Sequence, residues 1–144
     1  MKFKIVIITI SVFCSAYIKS YSQYFDSVHV YVLHLKSQYR IKIDKDVIKN
    51  EVEPIVLTCK YEVNSIYSML NDSVRNQRVR KLESNHLDIR LSFEFFKENK
   101  VTQIVGVTSQ NTMFIDYILY TYDKRSLKYL NKYIPQFSDK IDIE

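Results

Sequence analysis

Between Leu87 and Phe96 the chain reads LDIRLSFEFF, with Leu87, Ile89, Leu91, Phe93 and Phe95 alternating against Asp88, Arg90, Ser92, Glu94 and Phe96. A period of two places successive side chains on opposite faces of a pleated strand, so this stretch predicts a strand with one apolar face and one mixed-charge face. Burying each of the five apolar side chains stabilises by roughly 1.5–3 kcal/mol, enough for the rest of the chain to organise around this strand.

The segments on either side supply its neighbours. Ser27 to Leu35, SVHVYVLHL, is apolar on both faces and predicts a strand placed centrally in the sheet. Gln38 to Asp44 alternates with Tyr39, Ile41 and Ile43 inward and Arg40, Lys42 and Asp44 outward, which predicts a hairpin with the preceding strand. Lys45 to Pro54 is polar, ends in proline and reads as a loop, with Ile55 to Cys59 extended after it. Val63, Ile66, Tyr67 and Leu70 then recur at helical spacing, predicting a helix from about Tyr61 to Val74. Arg75, Arg78, Arg80 and Lys81 follow as a solvated helix end and loop, where cations offset the negative end of the helix dipole.

After the Leu87 to Phe96 strand, a turn at Lys97-Glu98-Asn99-Lys100 uses the tolerance of Asn99 for a left-handed backbone, and Val101 to Thr108 returns as a hairpin partner. Gly106 in that strand marks a bulge or the close approach of a neighbour. Met113 to Tyr122 reads as a strand on its β-branched and aromatic content, although Ile115, Ile118, Leu119 and Tyr122 also align at helical spacing. Asp123 is the predicted N-cap of a final helix from Lys124 to Ile134, with Leu127, Leu130 and Ile134 inward and Pro135 as its stop. The predicted fold class is α+β: an antiparallel sheet of about five strands, in the order ββα-βββα, with two helices packed on one face.

Residues 1–22 have the three parts of a secretory signal: Lys2 and Lys4, an apolar run from Ile5, and small residues at Ser20 and Ser22 before Gln23. Cleavage after Ser22 leaves one domain, 23–144, with no transmembrane segment, and an exported location, periplasmic or extracellular. The 14-residue run Ile5 to Ile18 falls short of the roughly 20 residues that span a bilayer. Removing Lys2, Lys4 and Lys19, which no acid accompanies, lowers the net charge from +5 to +2. That residual charge gives little general attraction to polyanions, so nucleic acid is not an expected partner. Cys59 becomes the one cysteine of the mature chain and reads as buried and inert.

No reactive cluster is legible. A single glycine rules out glycine-rich phosphate loops. His29 and His34 lie on opposite faces of one strand, His86 has Glu83 and Asp88 nearby in a loop, and no HExxH, CxxC or GxSxG pattern occurs, so neither metal nor cofactor is expected. The segments KENKVTQIVGVTSQN and KYIPQF resemble the strand-turn-strand and post-helix Pro-aromatic features of the C-terminal domain of TonB-type proteins. The resemblance spans under a third of the chain, lacks that family's Tyr-Pro motif and implies no site residues. The candidate binding face is the polar side of the sheet: Arg40, Lys42, Asp88, Arg90 and Glu94, with Phe96, Tyr117 and Tyr120 as aromatic anchors. The expected function is a non-enzymatic protein-binding module of inhibitor or immunity type. The alternatives are a small-ligand or lipid carrier, or an enzyme with a dispersed polar site.

Overall fold

The structure is a computed structural model that describes residues 24–33, 43–81, 88–109, 112–116 and 118–135. It is an α+β fold. Seven described strands form one antiparallel sheet: β1 Ser27–Val32, β2 Ile55–Leu57, β3 Val74–Lys81, β4 Ile89–Lys97, β5 Lys100–Thr108, β6 Met113–Ile115 and β7 Ile118–Tyr122, in the spatial order β2-β1-β4-β5-β6-β7-β3. Helix α1 spans Lys45–Glu51, α2 spans Lys60–Ser73, and a 3-10 helix spans Lys124–Lys132.

The alternation in β4 works as the sequence predicts for Leu91, Phe93 and Phe95. They join Val28, Val30, Val105 and Val107 in the main core, which α2 closes with Val63, Ile66 and Leu70, the 3-10 helix with Leu127 and Leu130, and Ile134 just beyond that helix. Ile89 departs from the pattern. The pairing of β4 with β5 shifts register between Ile89 and Leu91, and Ile89 belongs to a second cluster with Tyr31, Leu33, Ile43, Ile48, Phe114 and Leu119. A bulge adds a residue to one strand and re-aims the side chains beyond it, so the two-residue period breaks there.

That second cluster corrects the expected layering. Helices cover both sides of the sheet, with α2 and the 3-10 helix on one side and α1 on the other. The loop predicted over Lys45 to Pro54 is instead the site of α1. Asp44 Oδ1 accepts from the backbone N–H groups of Asp46 and Val47, both at 2.9 Å, and Ile48 is fully buried. A side-chain oxygen at the N-cap and one deeply buried residue suffice for a helix of two turns, too short to show a period.

Three further expectations change. Over Val28 to Val30, β1 has β2 on one edge and β4 on the other, so the predicted hairpin partner finds both edges taken; most of Gln38 to Asp44 lies outside the described residues. The cations Arg75, Arg78, Arg80 and Lys81 belong to β3, an outer strand of the described sheet that pairs with β7, rather than to a loop. Met113 to Tyr122 is a hairpin of β6 and β7, not one strand. Asp116 turns it with φ 45°, and its Oδ1 and backbone N–H bracket Ile104 at 3.1 and 3.0 Å. The final helix is 3-10 throughout, with the predicted Asp123 cap accepting from Arg125 N–H at 3.0 Å.

Gly106 is a point of close approach. The Phe114 ring lies where a Cβ on residue 106 would point, and the Leu91 carbonyl oxygen is 3.0 Å from the same position. The glycine leaves room for the Phe114 ring, which belongs to the second cluster.

Candidate functional site

Of the predicted binding residues, Arg40 and Lys42 lie outside the described residues, as does Tyr117. Asp88, Arg90 and Glu94 do share a face, but that face is covered. Arg90 is 4% exposed and Glu94 3%. Lys49 of α1 forms an ion pair with Glu94, and the Tyr31 hydroxyl on β1 bonds the same carboxylate. Burial, then the adjacent Glu94 charge, pushes the Tyr31 hydroxyl above its ordinary value.

Asp88 is the second anchor of this layer. Its Oδ1 accepts from Ile43 N–H at 3.0 Å and its Oδ2 from the Arg90 guanidinium at 2.6 Å, with the Ser109 hydroxyl also bonded. Partial burial opposes ionisation of Asp88, yet the Ile43 N–H, the Ser109 hydroxyl and Arg90 together hold the carboxyl below its usual range. Ser92 sits between the two anchors, with its Oγ buried and without a hydrogen-bond partner among the described residues. These contacts pin α1 and the backbone leading into it onto the sheet; their charges are engaged within the fold.

Groups with intrinsic reactivity are scattered. Cys59, expected to be buried, is exposed. It sits one residue before α2, beyond the end of β2, and makes no side-chain capping bond. His29 packs its ring 4.4 Å from that of Phe96, while His34 and His86 lie outside the described residues. Among the described residues no three His, Cys, Asp or Glu side chains gather as a metal site, and no helix is long and apolar enough to cross a membrane.

The opposite layer presents a different surface. With Val63, Ile66 and Leu70 committed to the core, α2 turns Tyr61, Ser65, Ser68 and Asp72 outward, and Tyr61 is 75% exposed. Tyr24 stands beside it at 63% exposed, for a local reason. Asn64 Oδ1 accepts from Phe25 N–H at 3.1 Å, Asn64 Nδ2 donates to Phe25 O at 3.4 Å, and Lys60 meets Asp26 at 3.4 Å. The Phe25 ring is buried against Tyr67 and Phe95, at centroid distances of 4.7 and 4.9 Å. The segment carrying Tyr24 is therefore sewn to α2. Tyr24 and Tyr61 border a groove of about 450 Å³ that runs to Ser65 and Ser68.

On the far side of Ser65 and Ser68 a second groove, of about 670 Å³, lies between α2 and the 3-10 helix, bordered by Asp72, Asp123, Arg125 and Tyr129. Tyr129 is 69% exposed. Its helix is held by buried Leu127 and Leu130 and by Asp123 N–H donating to Ser73 O at 3.0 Å at the end of α2. Three exposed tyrosines thus flank two grooves that share a serine-lined wall. The sequence signal was present but weak: Tyr61 and Tyr129 are aromatics off the apolar stripe of an amphipathic segment. Tyr24 carries no local signal, because its placement depends on Asn64.

No family model, curated protein or solved structure matches this chain.

Proposed function

We propose that the protein is an exported, non-enzymatic module that binds another protein, in the manner of an inhibitor or immunity protein, through the outer face of α2 and the adjoining 3-10 helix. The observation that carries this reading is the set Tyr24, Tyr61 and Tyr129, exposed around two contiguous serine-walled grooves, with Tyr61 on α2, Tyr129 on the 3-10 helix and Tyr24 on the segment bonded to Asn64. Tyrosine offers large amphipathic contact area with little side-chain entropy to lose, and serine adds adaptable hydrogen bonding beside it. The Arg90 and Glu94 row serves this surface indirectly, by holding α1 and the sheet as a rigid support.

Export follows from residues 1–22, and intact-mass analysis of the protein recovered outside the cytoplasm should show a chain beginning at Gln23. Binding is tested by placing a photo-crosslinking phenylalanine analogue at residue 61, 129 or 101 and irradiating cells. One partner protein should be captured from positions 61 and 129 and not from 101, an exposed position on β5. Capture from 101 alone, or from none of the three, would overturn the reading.

A further inference from the structure

Resting on that reading, we infer that the 3-10 helix Lys124–Lys132 docks an extended acidic segment of the partner protein. From Lys124 to Pro135 the sequence carries four cations and no acid. Arg125, Lys128 and Lys132 are exposed, and the ion pairs found among the described residues involve Lys49, Lys60 and Arg90 instead. Helix stability accounts for Lys132, a cation in the last turn, but not for the cations of the first turn. The first turn has no acidic residue and carries Lys124 and Arg125, and cations there oppose the positive end of the helix dipole. The Asp123 cap, which accepts from Arg125 N–H, offsets them in part.

The helix type sets the spacing. At three residues per turn, Leu127 and Leu130 form one column, which is buried; Arg125, Lys128 and Asn131 form a second; Ser126, Tyr129 and Lys132 form a third. Successive members of a column are about 6 Å apart along the axis, from a rise of about 2.0 Å per residue. Alternate side chains of an extended chain are about 6.6–6.8 Å apart. A strand-like segment with carboxylates at every second residue therefore keeps step with the Arg125 and Lys128 column, while Tyr129 supplies an apolar contact beside it. A nucleic acid fits less well. Asp72 and Asp123 border the same groove as Arg125 and repel a uniform line of phosphates, whereas a polypeptide can place a donor there.

Fluorescence anisotropy with the purified protein tests this, using four probes: a labelled decapeptide alternating Glu and Thr, its isomer with the Glu and Thr in two blocks, an oligothymidylate, and phosphatidylglycerol vesicles. The alternating peptide should bind at least about threefold tighter than the block isomer and weaken with added salt. The variant R125E/K128E/K132E should lose about tenfold or more. It should still fold, because Arg125→Glu places an anion where the helix dipole favours one; if its urea midpoint falls, R125Q/K128Q should show a loss of at least about threefold in its place. Equal binding of the two isomers, no peptide binding, or tighter binding to the oligonucleotide or the vesicles would overturn the inference. Crosslinks from positions 61 and 129 without peptide affinity would defeat it and leave the protein-binding reading standing. Peptide affinity without crosslinks would defeat that reading instead.

Discussion

Lys49, in the last turn of α1, pairs with Glu94 in the middle of β4, joining a helix to a sheet face that carries its charges inside the fold. The two groups are unequally buried, with side chains 35% and 4% exposed. Lys49→Met strands a carboxylate that, among the described residues, is then served by the Tyr31 hydroxyl. The expected cost is about 1–3 kcal/mol, below the full loss for breaking a buried pair because Lys49 is partly in water. The double variant K49M/E94Q removes the stranded charge and should recover most of that loss in urea unfolding. Equal midpoints for the wild type and Lys49→Met would show that solvent already screens the pair.

Gly106→Ala is expected to destabilise by about 1–3 kcal/mol, the usual range for overpacking, since the added methyl meets the Phe114 ring and the Leu91 carbonyl. Gly106 has no positive φ, so the cost is one of space and should couple to the neighbour. Phe114→Leu alone opens room and loses packing; combined with Gly106→Ala it should cost less than the two single changes added together. Additive losses in a double-mutant cycle would place the cause elsewhere.

These two contacts also show what the sequence could reveal. The alternation in β4 correctly placed Leu91, Phe93 and Phe95 in the core, because a two-residue period is a local property. Whether Arg90 and Glu94 met water was not local. It depended on Lys49, which reaches Glu94, and on Ile43, which bonds Asp88 beside Arg90, only after a short helix folds back over the sheet, and two turns are too few for that helix to announce itself. The hairpin of β6 and β7 was hidden likewise, since Asp116 adopts φ 45° without the Asn-Gly or Asp-Gly pair that marks such turns. Arg75 to Lys81 looked like a loop because its strand character comes from pairing with β7. Of the surface proposed for binding, Tyr61 and Tyr129 could have been found as aromatics off the apolar stripe. Tyr24 could not.

Tyr122 on β7 packs against the main core, and burial pushes its hydroxyl up to about 12. The folded state resists ionising it while the unfolded chain ionises near pH 10, so the stabilising contribution is intact below pH 10 and is lost as pH rises toward 12. The shift corresponds to at most about 2–3 kcal/mol, less where the ring edge meets solvent. Tyr122→Phe should flatten the decline in stability between pH 10 and 12, measured by urea unfolding at each pH. Some slope should remain, because burial also raises Tyr31 and Tyr67. An unchanged slope would assign the alkaline loss to those two.

The turn between β4 and β5 places both Glu98 and Asn99 at positive φ, 51° and 61°, with Lys97 and Lys100 paired across it. A two-residue loop with both residues left-handed matches the twist of the flanking strands, and Asn-Gly is the pair best suited to it. Asn99 tolerates the conformation, whereas Glu98 adopts it at a cost of about 1–2 kcal/mol for an ordinary side chain. The fold holds it there through its backbone, as Glu98 N–H donates to Asp26 Oδ2 at 2.8 Å, a bond that also draws the Asp26 carboxyl below its usual range. The variant E98N/N99G keeps that N–H and removes the strain, so it should raise the thermal midpoint by several degrees, as expected for about 1 kcal/mol in a domain of this size. Adding Asp26→Ala should cancel part of the gain, since the turn then loses its anchor to the segment beside Tyr24. A lower midpoint for E98N/N99G itself would mean that the Glu98 side chain contributes more to the turn than its backbone strain removes.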